Sequence, residues 1–159
     1  MVPLDPVPQP IDHVLAGAAD APALVDRSGT LSYVELEDRV ARLAGWLAAQ
    51  GLAPGDRVAT WLPKTREACL MPLAAPRAGL VHVPINPLLK RAQVAHILAD
   101  SGTRLLLTQP ARAATLDPAD TRNIAVHLLA GDGPPMPPSA ADPDSLAAIL
   151  YTSGSTGRP

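Results

Sequence analysis

The chain has 159 residues, 47% of them hydrophobic, and its 13 basic and 15 acidic residues leave a formal net charge of −2. This length suits one domain with a buried core, and this composition is typical of a folded globular protein and excludes a disordered one. Because the charges are balanced, the chain offers no strongly basic face, and we exclude nucleic acid as a partner.

The first twenty residues are predicted to form an N-terminal arm that is rich in proline, residues 1–10, followed by a short helix from Ile11 to Ala19. The start, Met1 to Pro6, lacks the basic and apolar regions of a secretion signal. No run in the chain approaches ~18 consecutive apolar residues. We therefore expect no membrane span and a cytoplasmic location.

A β-hairpin and a long helix are predicted next. The hairpin strands are residues 23–26 and 29–31, with the turn at residues 27–29. Ser32 and Glu35 form a capping box, which starts a helix by satisfying two backbone N–H groups. The apolar positions then recur at helical spacing on one face, and Gly51 is expected to end the helix: Leu36, Val40, Leu43 and Leu47.

Strands and helices alternate over the rest of the chain, which indicates an α/β fold with a parallel sheet. Pro72 and Pro76 lie inside one predicted helix, and because an interior proline costs ~3 kcal/mol or more, we expect a kink or an early break there. Residues 110–117 are predicted to be weakly helical, and residues 130–144 to form a surface loop. The remaining predicted elements are strands at 56–62, 80–85, 104–108, 124–129 and 146–151 and helices at 65–78 and 91–100.

The isolated reactive residues favour structural roles. Cys69 is the only cysteine, so no disulfide forms within the chain, and its apolar surroundings predict a small core residue. Asp142 and Asp144 lie in a proline-rich stretch and are expected to be solvated. The histidines are scattered without a partner at ligand spacing, so we predict no metal site, and we interpret His82 as a partly covered structural residue; the others are His13, His96 and His127.

The segment after residue 151 combines four hydroxyl side chains with two glycines, directly behind an apolar run. Glycines let backbone N–H groups approach an anion, and hydroxyls add uncharged donors, so the segment suits a phosphate-binding loop. The spacing matches neither a Walker loop, a dinucleotide-binding turn nor a nucleophile elbow. The alternative that composition allows is a flexible polar tail. The candidate binding residues are Thr152, Ser153, Gly154, Ser155, Thr156 and Gly157.

The order of these residues closely resembles the signature loop of the adenylate-forming superfamily, which includes acyl-CoA synthetases, adenylation domains of peptide synthetases and luciferases. Residues 31–36 (LSYVEL) and 78–87 (AGLVHVPINP) resemble two further elements of that superfamily, in the expected order. Residues 86–90 and 93–98 look most like the AMP-forming acyl-CoA ligases associated with exosortase gene clusters. The resemblance implies that residues 21–159 are the incomplete N-terminal part of the large AMP-binding domain, a mostly parallel sheet flanked by helices.

The resemblance also implies a chemistry. In this superfamily a carboxylate attacks the α-phosphate of ATP to give an acyl-adenylate and pyrophosphate, and a thiol, coenzyme A or a carrier thiol, then takes the acyl group. The signature loop holds the β- and γ-phosphates while Mg²⁺ offsets their charge. The adenine contacts, the acidic ribose ligand, the Mg²⁺-binding glutamate and the catalytic lysine lie beyond this loop in the superfamily, and the loop is usually followed by Lys-Gly. We therefore expect no catalytic residue in the chain, and we expect an ATP-dependent carboxylate–CoA ligase fragment that is inactive alone.

Two interpretations stay open at this point. The first is the ligase fragment, whether a truncated gene, an incomplete gene model or half of a split enzyme. The second is a small non-catalytic α/β module that binds a phosphorylated ligand or pairs with a larger subunit. For the fragment we also expect poor solubility, because an apolar strand at residues 146–151 would present an unpaired edge.

Overall fold

A computed structural model describes residues 10–128 and 130–152 of the chain. Its strands are β1 (Pro22–Asp26), β2 (Gly29–Ser32), β3 (Arg57–Trp61), β4 (Val81–Pro84), β5 (Thr103–Thr108) and β6 (Ala125–His127). Its helices are a 3₁₀ helix (Ile11–Val14), α1 (Tyr33–Ala48), α2 (Arg66–Arg77), α3 (Arg91–Asp100) and the single turn α4 (Pro110–Ala113). Among the described residues, no helix combines the length and the apolar character needed to cross a lipid bilayer.

The centre of the fold is a four-stranded sheet with the order β4-β3-β5-β6, in which every neighbouring pair is parallel. Helix α2 connects β3 to β4, and α3 connects β4 to β5. Such crossovers cover the faces of a parallel sheet, which is why its strands are apolar on both sides. The predicted α/β class, with a mostly parallel sheet flanked by helices, is confirmed.

Two apolar clusters lie on the two sides of the sheet. Val58 and Leu105 face α1 and α2, whereas their neighbours Ala59 and Leu106 face α3. All four side chains are fully buried. The alternation follows from the two-residue period of a strand, and it divides the core into a first cluster under α1 and α2 and a second cluster under α3.

Helix α1 begins and packs as its sequence predicts. The Ser32 N–H donates to a carboxylate oxygen of Glu35 at 2.8 Å, and the Glu35 N–H donates to the Ser32 hydroxyl at 3.4 Å. The four residues of the predicted apolar face are all buried in the first cluster. The helix ends at Ala48, and Gly51 follows with a φ of +71°, a backbone conformation that glycine adopts without strain. The predicted hairpin is also confirmed, since β1 and β2 pair antiparallel.

Helix α2 continues through both of its prolines, so the expected break is wrong. Met71, Ala74 and Ala75 project from this helix into the first cluster and are fully buried. Burying a side chain such as methionine stabilises by ~1.5–3 kcal/mol, so the packed face offsets much of the cost of an interior proline. Pro72 and Pro76 themselves are half-buried on this helix. Cys69, on the same helix, is exposed, so the prediction that it belongs to the core is also wrong.

Two other predicted helices are shorter in the structure. In place of a helix from Ile11 to Ala19, a four-residue 3₁₀ helix is followed by Gly17, which lies under the Tyr33 ring. A Cβ at Gly17 would approach that ring to 2.5 Å, so the chain there is shaped by a tertiary contact. Helix α4 stops at Ala113, where the Thr115 hydroxyl donates to the Arg112 carbonyl at 2.7 Å and offers the backbone an alternative to the helical hydrogen bond.

The prediction of a strand at residues 146–151 is wrong, because the structure forms no strand there. Only a single parallel bridge, between His82 and Ala148, joins this segment to β4. Leu146 and Leu150 are 61% and 71% exposed, so the segment buries little apolar surface among the described residues. An apolar run forms a strand only where a neighbouring strand supplies a continuous ladder of backbone hydrogen bonds. Here the described partner is a single residue of β4.

The loop at residues 130–141 is held firmly against α1, although most of its side chains are exposed as predicted. The Gly133 N–H donates to the Arg42 carbonyl and the Met136 N–H to the Ala41 carbonyl, both at 3.0 Å. A Cβ at Gly45 would lie 1.8 Å from the Pro134 carbonyl oxygen. The loop therefore packs backbone against helix, at a distance that only glycine permits.

A buried ion-pair network ties the start of the described chain to α1, α2 and the 130–141 loop. Arg77 of α2 donates to Asp12 at 3.0 Å and to Glu37 of α1 at 2.7 Å. The side chains of Arg77 and Asp12 are both 0% exposed. Asp12 also accepts the Ser139 N–H at 2.8 Å. One carboxylate thus joins the 3₁₀ helix, α2 and the 130–141 loop.

Candidate functional site at the carboxyl edge of the sheet

The segment that precedes the predicted phosphate-binding residues runs beside β4 toward the carboxyl edge of the sheet. The His82 N–H donates to the Ala147 carbonyl, and the Ile149 N–H donates to the His82 carbonyl, both at 2.9 Å. Because this pairing is parallel, the chain travels in the direction of β4, and Tyr151 lines a cleft together with residues at the ends of β3 and β4. Ligands of parallel α/β sheets bind outside the carboxyl ends of the strands.

Tyr151 is anchored by its side chain. Its ring packs against the second cluster, and its hydroxyl donates to a carboxylate oxygen of Asp100 at 2.5 Å. Burial, together with the neighbouring Asp100 carboxylate, raises the pKa of Tyr151 to about 12. The phenol therefore keeps its proton at neutral pH and acts as a hydrogen-bond donor.

A cleft of about 590 Å³ opens beside Tyr151, between the ends of β3 and β4. Its wall is mainly apolar, and its polar residues are Thr60, Lys64, Asn86 and Tyr151. Lys64 is exposed and forms no ion pair within the described ranges. The remaining lining residues are Leu62, Pro63, Ala68, Pro84, Ile85, Pro87 and Leu88. This edge therefore presents a positive charge beside an apolar surface.

The turn after β4, at residues 86–88, forms one side of this cleft and is held by hydrogen bonds from within the turn and from Arg112. The side-chain oxygen of Asn86 accepts the Leu88 N–H at 2.9 Å, which closes the turn locally. Arg112 donates to the Pro87 carbonyl at 2.7 Å, and its guanidinium lies 5.0 Å from the centre of the Trp61 ring. The turn after β4 is thus connected to β3 and α4, which gives the cleft a defined shape.

His82 is more deeply buried than predicted, with 2% of its surface exposed. Its Nε2 and the Thr60 hydroxyl are 2.9 Å apart, and burial lowers the pKa of the imidazole to about 4. The ring is therefore neutral at physiological pH. With its one described polar contact inside the fold, His82 is a structural residue, as its sequence context indicates.

The predicted binding residues are described only at their first position. Thr152 is exposed at the end of the described chain. The other five lie outside the described residues, so their role stays a prediction: Ser153, Gly154, Ser155, Thr156 and Gly157.

Metal ligands are not clustered in the part of the chain that the structure describes, where no group of three or more His, Cys, Asp or Glu side chains could hold an ion. The described ranges thus hold no preformed cage for a cation, whereas Mg²⁺ bound with ATP needs only one or two carboxylates beside the phosphate oxygens. Asp142 and Asp144 are exposed, as predicted.

Two features of this site have no signal in the sequence. Asp100 is the last residue of α3, and nothing in its surroundings indicates a contact with Tyr151, 51 positions later. Lys64 follows β3 and carries no motif; only the topology of the sheet brings it to the same edge as residue 151. A second groove, of about 610 Å³, lies at the opposite end of β4 and is mainly apolar, so we assign it no role at this site.

Comparison with known proteins identifies the family. The model of the AMP-binding enzyme family matches residues 11–159, so the chain belongs to that family, whose members include adenylate-forming ligases. A feruloyl-CoA synthase of Amycolatopsis sp. is 43% identical over 85% of this chain. An L-proline–[L-prolyl-carrier protein] ligase of Pseudomonas fluorescens is 35% identical over 92% of it.

Solved structures show the same fold. ATP-bound MatB from Rhodopseudomonas palustris superposes on 94% of the chain with a TM-score of 0.79 and 31% identity. A benzoate CoA ligase from Burkholderia xenovorans superposes on 88% with a TM-score of 0.75 and 26% identity. The chain spans 28% and 32% of the two curated relatives and 33% and 31% of the two solved ones, so it corresponds to about a third of each.

Proposed function

We propose that this chain supplies the phosphate-binding part of an ATP-dependent ligase that joins a carboxylic acid to a thiol through an acyl-adenylate. Membership of the AMP-binding enzyme family over residues 11–159 supports the chemistry. The names of two relatives, a CoA synthase and a carrier-protein ligase, support coenzyme A or a carrier thiol as the acceptor. The ATP in a solved neighbour supports the nucleotide.

In this proposal the backbone N–H groups and hydroxyls of Thr152–Gly157 donate to the β- and γ-phosphates. The observation that carries it is the path of the described chain, which brings Tyr151, the residue before Thr152, to a cleft at the carboxyl edge of a parallel sheet. Donors held in place before the reaction stabilise the charge that develops on phosphoryl oxygens. Lys64, on the wall of the neighbouring cleft, adds positive charge at the same edge.

We further propose that the chain alone does not form an acyl-adenylate. The chain spans 28% and 32% of the length of the two curated ligase relatives. The one buried histidine near the cleft, His82, is neutral and already hydrogen-bonded to Thr60. The chain alone therefore binds the phosphates weakly and leaves activation of the acid to groups in the rest of a full-length relative. The resemblance of residues 86–98 to the exosortase-associated ligases stays a prediction.

Nuclear magnetic resonance of the ¹⁵N-labelled chain, titrated with ATP·Mg²⁺ into the millimolar range, tests this proposal. We expect shift changes confined to the amides of residues 152–157 and their neighbours at the cleft. Thr156→Val removes a predicted donor and should weaken the response, whereas Thr30→Val, at an exposed hairpin position, should leave it unchanged.

Three results would contradict the proposal. Shift changes confined to other residues would place the nucleotide at another site, and a complete lack of shift changes would mean that the chain does not bind it. Micromolar affinity for ATP without any acid-dependent exchange between ATP and pyrophosphate would favour the small binding module instead. Acid-dependent exchange by the pure chain would contradict the claim that it is inactive alone.

A further inference from the structure

The chain between Ile149 and Thr152 is held mainly by one side chain. The Ile149 N–H makes the last backbone hydrogen bond of this segment within the described residues. Leu150 is 71% exposed and contributes no packing that could fix the backbone. Tyr151, by contrast, packs on the second cluster and donates to Asp100. The position of Thr152 therefore depends on the Tyr151 anchor.

The Asp100–Tyr151 hydrogen bond suits this role. A phenol that donates to a carboxylate forms a short, charge-assisted bond, and the 2.5 Å separation here is of that kind. Asp100 ends α3, which is fixed in the core by Val94, Ile97 and Leu98. The acceptor is thus attached to a rigid element, whereas the donor belongs to a segment with few other contacts.

We propose that Asp100 is a positioning residue for the phosphate-binding segment, acting through Tyr151 to hold the backbone where it enters Thr152–Gly157. The proposal rests on the function proposed above and deepens it. Ordering backbone residues opposes binding, so a segment that is already held at its entrance loses less conformational freedom when phosphate binds.

The test compares variants of the whole chain. Tyr151→Phe keeps the ring and removes the hydroxyl, and Asp100→Ala removes the acceptor. Asp100→Asn keeps one acceptor oxygen and should therefore retain most of the ATP·Mg²⁺ affinity of the parent chain. Tyr33→Phe and Asp38→Ala are the matched controls, at a second tyrosine and at another exposed aspartate whose partner, Arg42, lies on the same helix. For each variant, ATP·Mg²⁺ affinity is measured by nuclear magnetic resonance titration, backbone order parameters are measured from ¹⁵N relaxation at residues 150–152, and amide hydrogen exchange is measured at Leu106 in the core.

We expect Tyr151→Phe and Asp100→Ala each to weaken ATP·Mg²⁺ binding on the order of tenfold, because each frees the same short stretch of backbone. The double variant should be no weaker than either single one, as expected for two members of one interaction. Backbone order parameters should fall at residues 150–152, while hydrogen exchange at Leu106 stays unchanged. A merely structural role would instead accelerate hydrogen exchange in the core.

The outcomes distinguish a failure of the positioning role from a failure of the proposed function. If the parent chain binds ATP·Mg²⁺ and the variants bind equally well, the positioning role of Asp100 is wrong while the proposed function stands. If the parent chain shows no response to ATP·Mg²⁺, the proposed function fails and the positioning role of Asp100 fails with it.

Discussion

Replacing Asp12 by alanine should destabilise this protein more than the loss of any exposed ion pair. Asp12 and Arg77 are 0% exposed at their side chains and 3.0 Å apart. Burial alone would lower the pKa of Arg77, but its hydrogen bonds to Glu37 and Asp12 outweigh that effect and raise it. The guanidinium therefore stays charged inside the fold and needs its carboxylate partners.

The expected magnitude follows from this burial. Removing one partner of a buried pair costs about 3–5 kcal/mol, because the other charge is left without compensation. Arg77 keeps Glu37 as a partner, so we expect the lower end of that range, about 3 kcal/mol, in the Asp12→Ala variant. Part of this loss comes from the Ser139 N–H, which loses its acceptor.

Urea denaturation followed by circular dichroism measures the free energy of unfolding. Asp12→Asn keeps a side-chain oxygen for the Ser139 N–H and should lose less than Asp12→Ala. Asp38→Ala, at an exposed pair with Arg42, should cost less than about 1 kcal/mol. Equal losses in Asp12→Ala and Asp38→Ala would refute the argument, because they would mean that burial adds nothing to the interaction.

Three further predictions follow from the structure. Gly45→Ala should destabilise the chain by about 2 kcal/mol and expose residues 130–141 to proteases, because its Cβ would lie 1.8 Å from the Pro134 carbonyl oxygen; an unchanged cleavage pattern would contradict that packing. His82 has a folded pKa of about 4 against an ordinary value of 6.5, so its contribution is fully present above pH 6.5 and is lost as the pH falls toward 4. The loss amounts to about 3 kcal/mol, should appear in unfolding measured across this range, and should be absent in His82→Gln, so an unchanged pH profile in that variant would refute the assignment. The chain should self-associate through its exposed apolar residues near β4, and replacing Leu146 and Leu150 by lysine should increase the monomer fraction in light scattering, whereas a parent chain that is already monomeric would contradict this prediction.

Local patterns predicted the elements whose structure depends on near neighbours in sequence. The capping box at Ser32 and Glu35, the apolar face of α1 and the bounds of α3 all follow from interactions within a few residues. The parallel sheet followed from the alternation of strands and helices. In each case the responsible contacts lie inside one element or between consecutive ones.

Predictions failed where distant contacts outweigh local preference. Helix α2 keeps both prolines because Met71, Ala74 and Ala75 pack into the core. The 146–151 segment is not a strand, since β4 offers it only one bridging residue. The 130–141 loop is held by Gly45 and Asp12, both distant in sequence.

The order of residues in the chain was enough to establish the class of fold, the family and the chemical character of the 152–157 segment, because these depend on periodicity, local hydrogen bonding and short motifs. Tertiary structure alone decided which groups meet around residue 151. Lys64, Asp100 and Tyr151 come from three separate parts of the chain. Their meeting depends on strand order and on how α3 packs, and no local pattern encodes a distance between residues so far apart.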